Sequence, residues 1–182
     1  MQISEPAEYV ILGLLKGKPM HGYEMFQHFQ TSMLGQVVHI EMSQLYAFLK
    51  KLERMAYIEA ELEPQGTRPP RKTFHITENG QNVFLHWLTL PVEKPRDIRI
   101  FFLIKLYFVQ YYLAAQTSSL VEQQIYACQH FLERLEAKHS SVTNWTNDEA
   151  FFNHVVLRSR IYQTRSLLEW LHELQIELAA TH

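Results

Sequence analysis

A change of hydrophobic period near residue 56 constrains this chain more than any other feature. Before it, Leu45, Phe48, Leu49, Leu52 and Met55 recur at three- and four-residue steps, which predicts an amphipathic helix from Met42 to Met55. After it, Tyr57-Ile-Glu-Ala-Glu-Leu-Glu alternates strictly. Ile58, Ala60 and Leu62 share one face and Glu59, Glu61 and Glu63 the other, as in a half-buried strand. A turn-rich stretch, Pro64-Gln-Gly-Thr-Arg-Pro-Pro, interrupts the alternation, and Arg71 to Thr77 resumes it with Phe74 and Ile76 inward. A helix followed by a hairpin with a basic, proline-containing tip is a helix and wing.

Two helices precede this pair. Ala7, Val10, Ile11, Leu14 and Leu15 form a helical stripe that Ser4, Glu5 and Pro6 start and that Gly17 and Pro19 stop. A second helix is expected from about Met20, with Gly22, Met25, Phe26 and Phe29 on one face, and residues 31–41 read as an irregular link with room for a short strand. After the hairpin, Thr77 is a suitable N-cap for a helix whose apolar face is Val83, Phe84, Trp87 and Leu88, and Pro91 and Pro95 mark a boundary. The order is that of a winged helix-turn-helix with one appended helix, occupying residues 1–92.

The outer face of the Met42–Met55 helix carries Ser43, Gln44, Ala47, Lys50, Lys51 and Arg54. Small polar residues at its start suit base edges, and cations further along suit phosphates. A basic face on a helix is more often a solvated surface, and the wing shifts the balance toward DNA. Net charge does not help: the chain is at −2, with eight cationic against nine anionic side chains up to residue 90. Placement matters more than the sum, and six of those eight cations are Lys50, Lys51, Arg54, Arg68, Arg71 and Lys72. At His21-Gly22-Tyr23 two readings stay open: a phenol beside helix-terminal amides that hold a phosphate, or a phenol that only packs.

Taken together these motifs resemble the PadR family of bacterial transcriptional regulators. The similarity runs through Tyr9-Val-Ile-Leu-Gly-Leu-Leu, His21-Gly22-Tyr23-Glu24, Leu45-Tyr46-x-x-Leu49-x-x-Leu52-Glu53, Tyr57-Ile58 and Arg68-Pro-Pro-Arg71-Lys72 to Phe74-x-Ile76-Thr77-x-x-Gly80. It covers roughly residues 5–90. The resemblance implies DNA contacts for Ser43, Gln44, Tyr46, Lys50, Lys51, Arg68, Arg71 and Lys72, with Tyr23 beside them. The chain departs from the family pattern at Glu41-Met42-Ser43-Gln44, where a small-polar or glycine-containing lead-in is common, and at Ala56, where glycine is frequent.

Residues 93–182 read as an α-helical dimerisation domain, so the whole chain is expected to be mainly α. Ile98 to about Gln116 reads as one apolar helix containing Phe101 and Phe108. Val121, Ile125, Cys128, Leu132 and Leu135 follow four- and three-residue steps, and Leu167, Leu171, Leu174 and Leu178 do the same in a long final helix after a loop over Ser140–Asp148. These seams predict a homodimer, which a palindromic operator on double-stranded DNA requires. This half resembles the helical dimerisation domain of longer PadR-type regulators, including virulence-gene activators. Some members of that family release DNA on binding a small aromatic effector, which Trp145 and Trp170 would suit.

Cys128 lies in an apolar seam and reads as a packed thiol. No histidine or cysteine spacing suits a metal, no cofactor loop or nucleophile motif is present, and an enzyme is not expected. With a single cysteine, no export signal and no 20-residue apolar run, the expected location is cytoplasmic and off the membrane. A winged-helix protein-interaction module without DNA binding is the alternative, suggested by the overall acidity.

Overall fold

The computed structural model describes residues 3–65, 68–140 and 148–180, and the side chains of 64–70 are outside that description. The chain runs α1 (Pro6–Gly17), β1 (Met20–His21), α2 (Gly22–Thr31), a 3-10 turn (Met33–Gln36) and α3 (Met42–Arg54). It continues through β2 (Ile58–Gln65), β3 (Arg68–Ile76), α4 (Glu78–Thr89), a single turn α5 (Pro95–Asp97), a π-helical turn (Ile98–Phe102), α6 (Leu103–Tyr112), α7 (Thr117–Ser140) and α8 (Asp148–Ala180). It divides into two compact units. One comprises Met1–Thr89 with Ile100–Tyr112, the other Leu90–Arg99 with Leu113–His182. Helix α6 therefore belongs to the first unit, although the sequence reading put it beyond a boundary at residue 92.

The first unit is a mainly helical winged fold. Its core is the inward face of α1 (Val10, Ile11, Leu14, Leu15) with Leu45, Leu49 and Leu52 of α3, Ile58, Phe74, Phe84 and Leu88. The wing sheet has three strands in the order β1-β3-β2, all antiparallel, rather than two. Strand β1 was not foreseen: Met20 pairs with Phe74 and His21 with Thr73. The link over 31–41 contains the 3-10 turn and no strand. Along β2 the expected inward face holds only near the base. Ile58 is 1% exposed and Ala60 half-buried, but Leu62 is 60% exposed because the hairpin has run past its helical support.

The α3–β2 corner is a Schellman cap. The Tyr57 N–H donates to the Leu52 carbonyl and the Ala56 N–H to the Glu53 carbonyl, and Ala56 sits in the left-handed region at φ 54°. Thr77 caps α4 as expected, accepting from the Gly80 N–H at 3.0 Å, and its hydroxyl donates to the Ala56 carbonyl.

Helix α6 completes this core. Phe108 is 2% exposed and lies so tightly on Gly13 that a side-chain carbon there would come within 2.3 Å of its ring. Phe101 meets Tyr9 and Trp87 edge-on, and Tyr9 stacks on Trp87 at 3.8 Å. Both phenylalanines, expected at a dimer interface, are instead occupied within their own chain. Lys105 is 2% exposed; its ammonium donates to the Trp87 carbonyl and lies 3.9 Å from the centre of the Trp87 ring. Burial lowers its pKa from 10.5 to about 7.

In the second unit α7 and α8 pack together, with Leu157, Ile161, Thr164, Leu168 and Leu171 as the buried column of α8. Val121, Ile125, Cys128 and Leu135 of α7 are buried, and Leu132 packs beside Leu135, Leu157 and Ile161. On α8 the expected Leu171 is buried, whereas Leu167 and Leu174 are only half-buried and Leu168 takes the inward place. Burial pushes the Cys128 thiol up. The Gln124 amide clasps the backbone of Val92, accepting from its N–H at 2.6 Å and donating to its carbonyl at 2.9 Å. The expected Ser140–Asp148 loop and Trp145 lie largely or wholly outside the described residues. Among the described residues no helix is long and apolar enough to cross a membrane.

Two outcomes follow for stability. Ala56→Gly relieves the left-handed strain and raises unfolding free energy by about 1 kcal/mol in denaturant titration. For Lys105, the unfolded chain keeps a proton that the folded chain has lost between the folded value of about 7 and the ordinary 10.5, so stability rises with pH across that window. Tyr9, raised by burial from 10.0 to about 12, opposes this only above pH 10. Melting curves of Lys105→Met between about pH 7 and 10 are correspondingly flatter than those of the parent.

Candidate nucleic-acid interface

The outer face of α3 is set by what holds its inner face. Glu8 is fully buried at the start of α1, where its carboxylate accepts from the backbone N–H groups of Ser4 and Glu5, each at 3.0 Å. Lys51 of α3 closes on the same carboxylate at 2.7 and 2.9 Å. Lys51 thus turns inward, only 18% exposed at its side chain, and is a strut between helices and not a phosphate contact. The Glu5-x-x-Glu8 spacing before an apolar run was the available sign that Glu8 caps its helix. Nothing local marked its partner.

With Lys51 withdrawn, the exposed face of α3 is Ser43, Gln44, Tyr46, Ala47, Lys50 and Arg54. Gln44 repeats the capping device of α1, since its side-chain oxygen accepts from the Glu41 N–H at 2.8 Å. The amide nitrogen is then the part left for an outside partner. The Tyr46 ring lies on the Cα of Gly22, where a side-chain carbon would come within 2.9–3.0 Å of its hydroxyl and ring. Gly22 therefore admits Tyr46 against the start of α2. Tyr23 and Tyr46 remain 53% and 50% exposed, so the two phenols flank the same helix start.

The hairpin joins this face through Lys72, whose ammonium is 3.7 Å from the Glu53 carboxylate of α3. Arg71 is exposed and pairs in register with Glu63. The Arg68 side chain is outside the described residues. Among the described residues Lys50, Arg54 and Arg71 have no ion-pair partner, whereas Lys18 is spent on Glu24 at 2.6 Å and holds that carboxyl below the usual range.

At the foot of the wing His21 was read only as part of a motif, and the structure gives it specific contacts. Its Nδ1 lies 3.1 Å from both the Lys72 carbonyl and the Thr73 hydroxyl, and that hydroxyl donates to Glu63 at 2.5 Å. With the hydroxyl proton so committed, Nδ1 is the protonated nitrogen. Lys51→Met strands the buried Glu8 carboxylate and lowers unfolding free energy by about 3 kcal/mol, whereas exposed Lys50→Met changes it by less than about 0.5 kcal/mol; denaturant titration of the two variants checks the contrast.

Residues 11–85 match the Transcriptional regulator PadR-like family, and residues 98–179 match the Virulence activator alpha C-term family. The chain is similar to the negative transcriptional regulator PadR of Bacillus subtilis, 27% identical over 172 residues that cover 92% of this chain and 94% of that one. Similar solved structures include Bacillus subtilis PadR in complex with operator DNA, 25% identical with a TM-score of 0.48, covering 96% of this chain and 99% of that one. The same protein in complex with p-coumaric acid is 23% identical with a TM-score of 0.43, at the same coverage. A PadR-like regulator from Bacillus cereus is 24% identical with a TM-score of 0.41, covering 96% and 99%. With its two halves matched in turn by these models, the chain belongs to the PadR-like family of transcriptional regulators.

Proposed function

We propose that this regulator acts as a homodimer on double-stranded operator DNA, with α3 in the major groove and the β2–β3 wing on the adjacent backbone or minor groove. The observation that carries this reading is the outward row Ser43, Gln44, Ala47, Lys50 and Arg54, continued by Arg71 on the wing. Small side chains at the N-terminal end let the helix approach base edges, while the cations beyond them meet phosphates. The operator complex of the Bacillus subtilis relative supports the same reading.

Gln44 has a defined part in it. Its oxygen is turned toward the Glu41 N–H, so the amide nitrogen is its freer group, a donor suited to the acceptors N7 and O6 of guanine, N7 of adenine or O4 of thymine. Lys51 has no place in this contact set, being committed to Glu8.

Dimerisation is drawn from a different face than the sequence suggested. Phe152, Val155 and Tyr162 lie along one side of α8 with exposures of 66%, 44% and 54%, and Phe151 beside them is 60% exposed. Such a stripe is costly in water and is covered when two copies pair. The p-coumaric acid complex of the relative supports an effector-responsive regulator. A two-fold pair presents its two α3 helices to half-sites roughly 34–36 Å apart.

Binding assays on an inverted-repeat operator test the reading. Arg71→Ala and Lys50→Ala each weaken binding to all sequences and reduce the salt slope by about 1, while Gln44→Ala changes base preference at one position. Sedimentation of Tyr162→Glu gives monomer and the parent gives dimer. Absence of salt-sensitive duplex binding by the parent chain would leave a protein-interaction module as the reading.

A further inference from the structure

One face of the wing sheet carries charges that are paired out of step with the strand register. Glu59 stands opposite His75, Glu61 opposite Thr73 and Glu63 opposite Arg71, while β1 sets His21 against the other side of Thr73. Directly opposed residues share a face, so these side chains lie together, and Lys72, opposite Leu62, lies on the other face beside Glu53 of α3. Opposite charges facing each other across two strands ordinarily pair, and Glu63 and Arg71 would then cancel. They do not. The Glu63 carboxylate accepts instead from the Thr73 hydroxyl at 2.5 Å, one diagonal step toward the base of the hairpin. Glu61 makes the same step, its carboxylate lying 3.4 Å from Nε2 of His75. Among the described residues Arg71 is left without an ion-pair partner although a carboxylate stands across from it.

His21 sets the direction of the Thr73 hydroxyl. Its Nδ1–H donates to the Thr73 oxygen and to the Lys72 carbonyl, each at 3.1 Å. A hydroxyl has one proton, and with its oxygen already accepting from the imidazole that proton is aimed at Glu63. Thr73 is 7% exposed, so its bond to the carboxylate is little contested by water. Arg71 is exposed, and an ion pair there would be weak by comparison. The carboxylate goes to the stronger partner.

We propose that Thr73 is a positioning residue for DNA binding: by holding Glu63 it keeps that carboxylate off Arg71 and leaves the guanidinium to a phosphate. The phosphate rests on the operator reading above; the arrangement of Glu63 in the free protein does not.

Thr73→Val keeps the branched shape and strand preference of the side chain and leaves His21 the Lys72 carbonyl, so the sheet survives and the hydroxyl alone is lost. Two measurements follow the released carboxylate. In the full chain without DNA, the Arg71 Nε–Hε NMR resonance shifts on Thr73→Val and returns when Glu63→Gln is added. On an inverted-repeat duplex Thr73→Val binds about fivefold more weakly, with a salt slope lower by about 1. Arg71→Ala in that background costs no further affinity, and Glu63→Gln raises affinity there by more than it does in the parent. Simple damage to the sheet would add to Arg71→Ala and would not be repaired by Glu63→Gln. An unshifted resonance, parental binding by Thr73→Val, or additive losses from Thr73→Val and Arg71→Ala would each overturn the proposal. A parent chain that binds no duplex overturns the operator reading and the positioning role with it, while the resonance reports separately whether Thr73 holds Glu63.

Discussion

A carboxylate taken wholly out of water organises the N-terminal unit. Glu8 would be expensive to bury alone, and it is tolerated because two backbone N–H groups and the Lys51 ammonium surround it. The two ends of this contact are 43 residues apart, so satisfying it sets α3 against α1 in both rotation and height. Leu45, Leu49 and Leu52 then fill the space between the helices, and the outward row follows from helical geometry. Two further contacts keep that setting: the Tyr46 ring on Gly22, and the Schellman corner that delivers β2 directly from the end of α3.

Where period and capping carry the information, the sequence could be read directly. The extents of α1, α3 and α4, the Thr77 cap and the existence of the hairpin all came from residues within a few positions of one another. Strand β1 did not, because two residues have no period and Met20–His21 become a strand only through Phe74 and Thr73. Alternation likewise told which way Leu62 points along its strand, but not where the supporting helices stop.

The side chains that changed role did so for the same reason. A helical wheel places Lys51 beside Lys50, and only Glu8, far off in the chain, separates a strut from a surface cation. The apolar character of Phe101 and Phe108 was plain, but whether a second chain or Gly13 and Trp87 would cover them was not. On α8, Leu167 and Leu168 are neighbours that satisfy nearly the same seam, and periodicity cannot rank them.

Withdrawing Lys51 into the fold also has an electrical consequence. Among the described residues, Lys50, Arg54 and Arg71 are left as unpaired cations around α3 and the wing, with Lys72 partly answered by Glu53. Turning Lys51 inward takes one cation out of that set, and with it about one condensed counterion that the surface could displace from a polyanion. Selectivity on such a surface must come from the fit of small side chains and phenols.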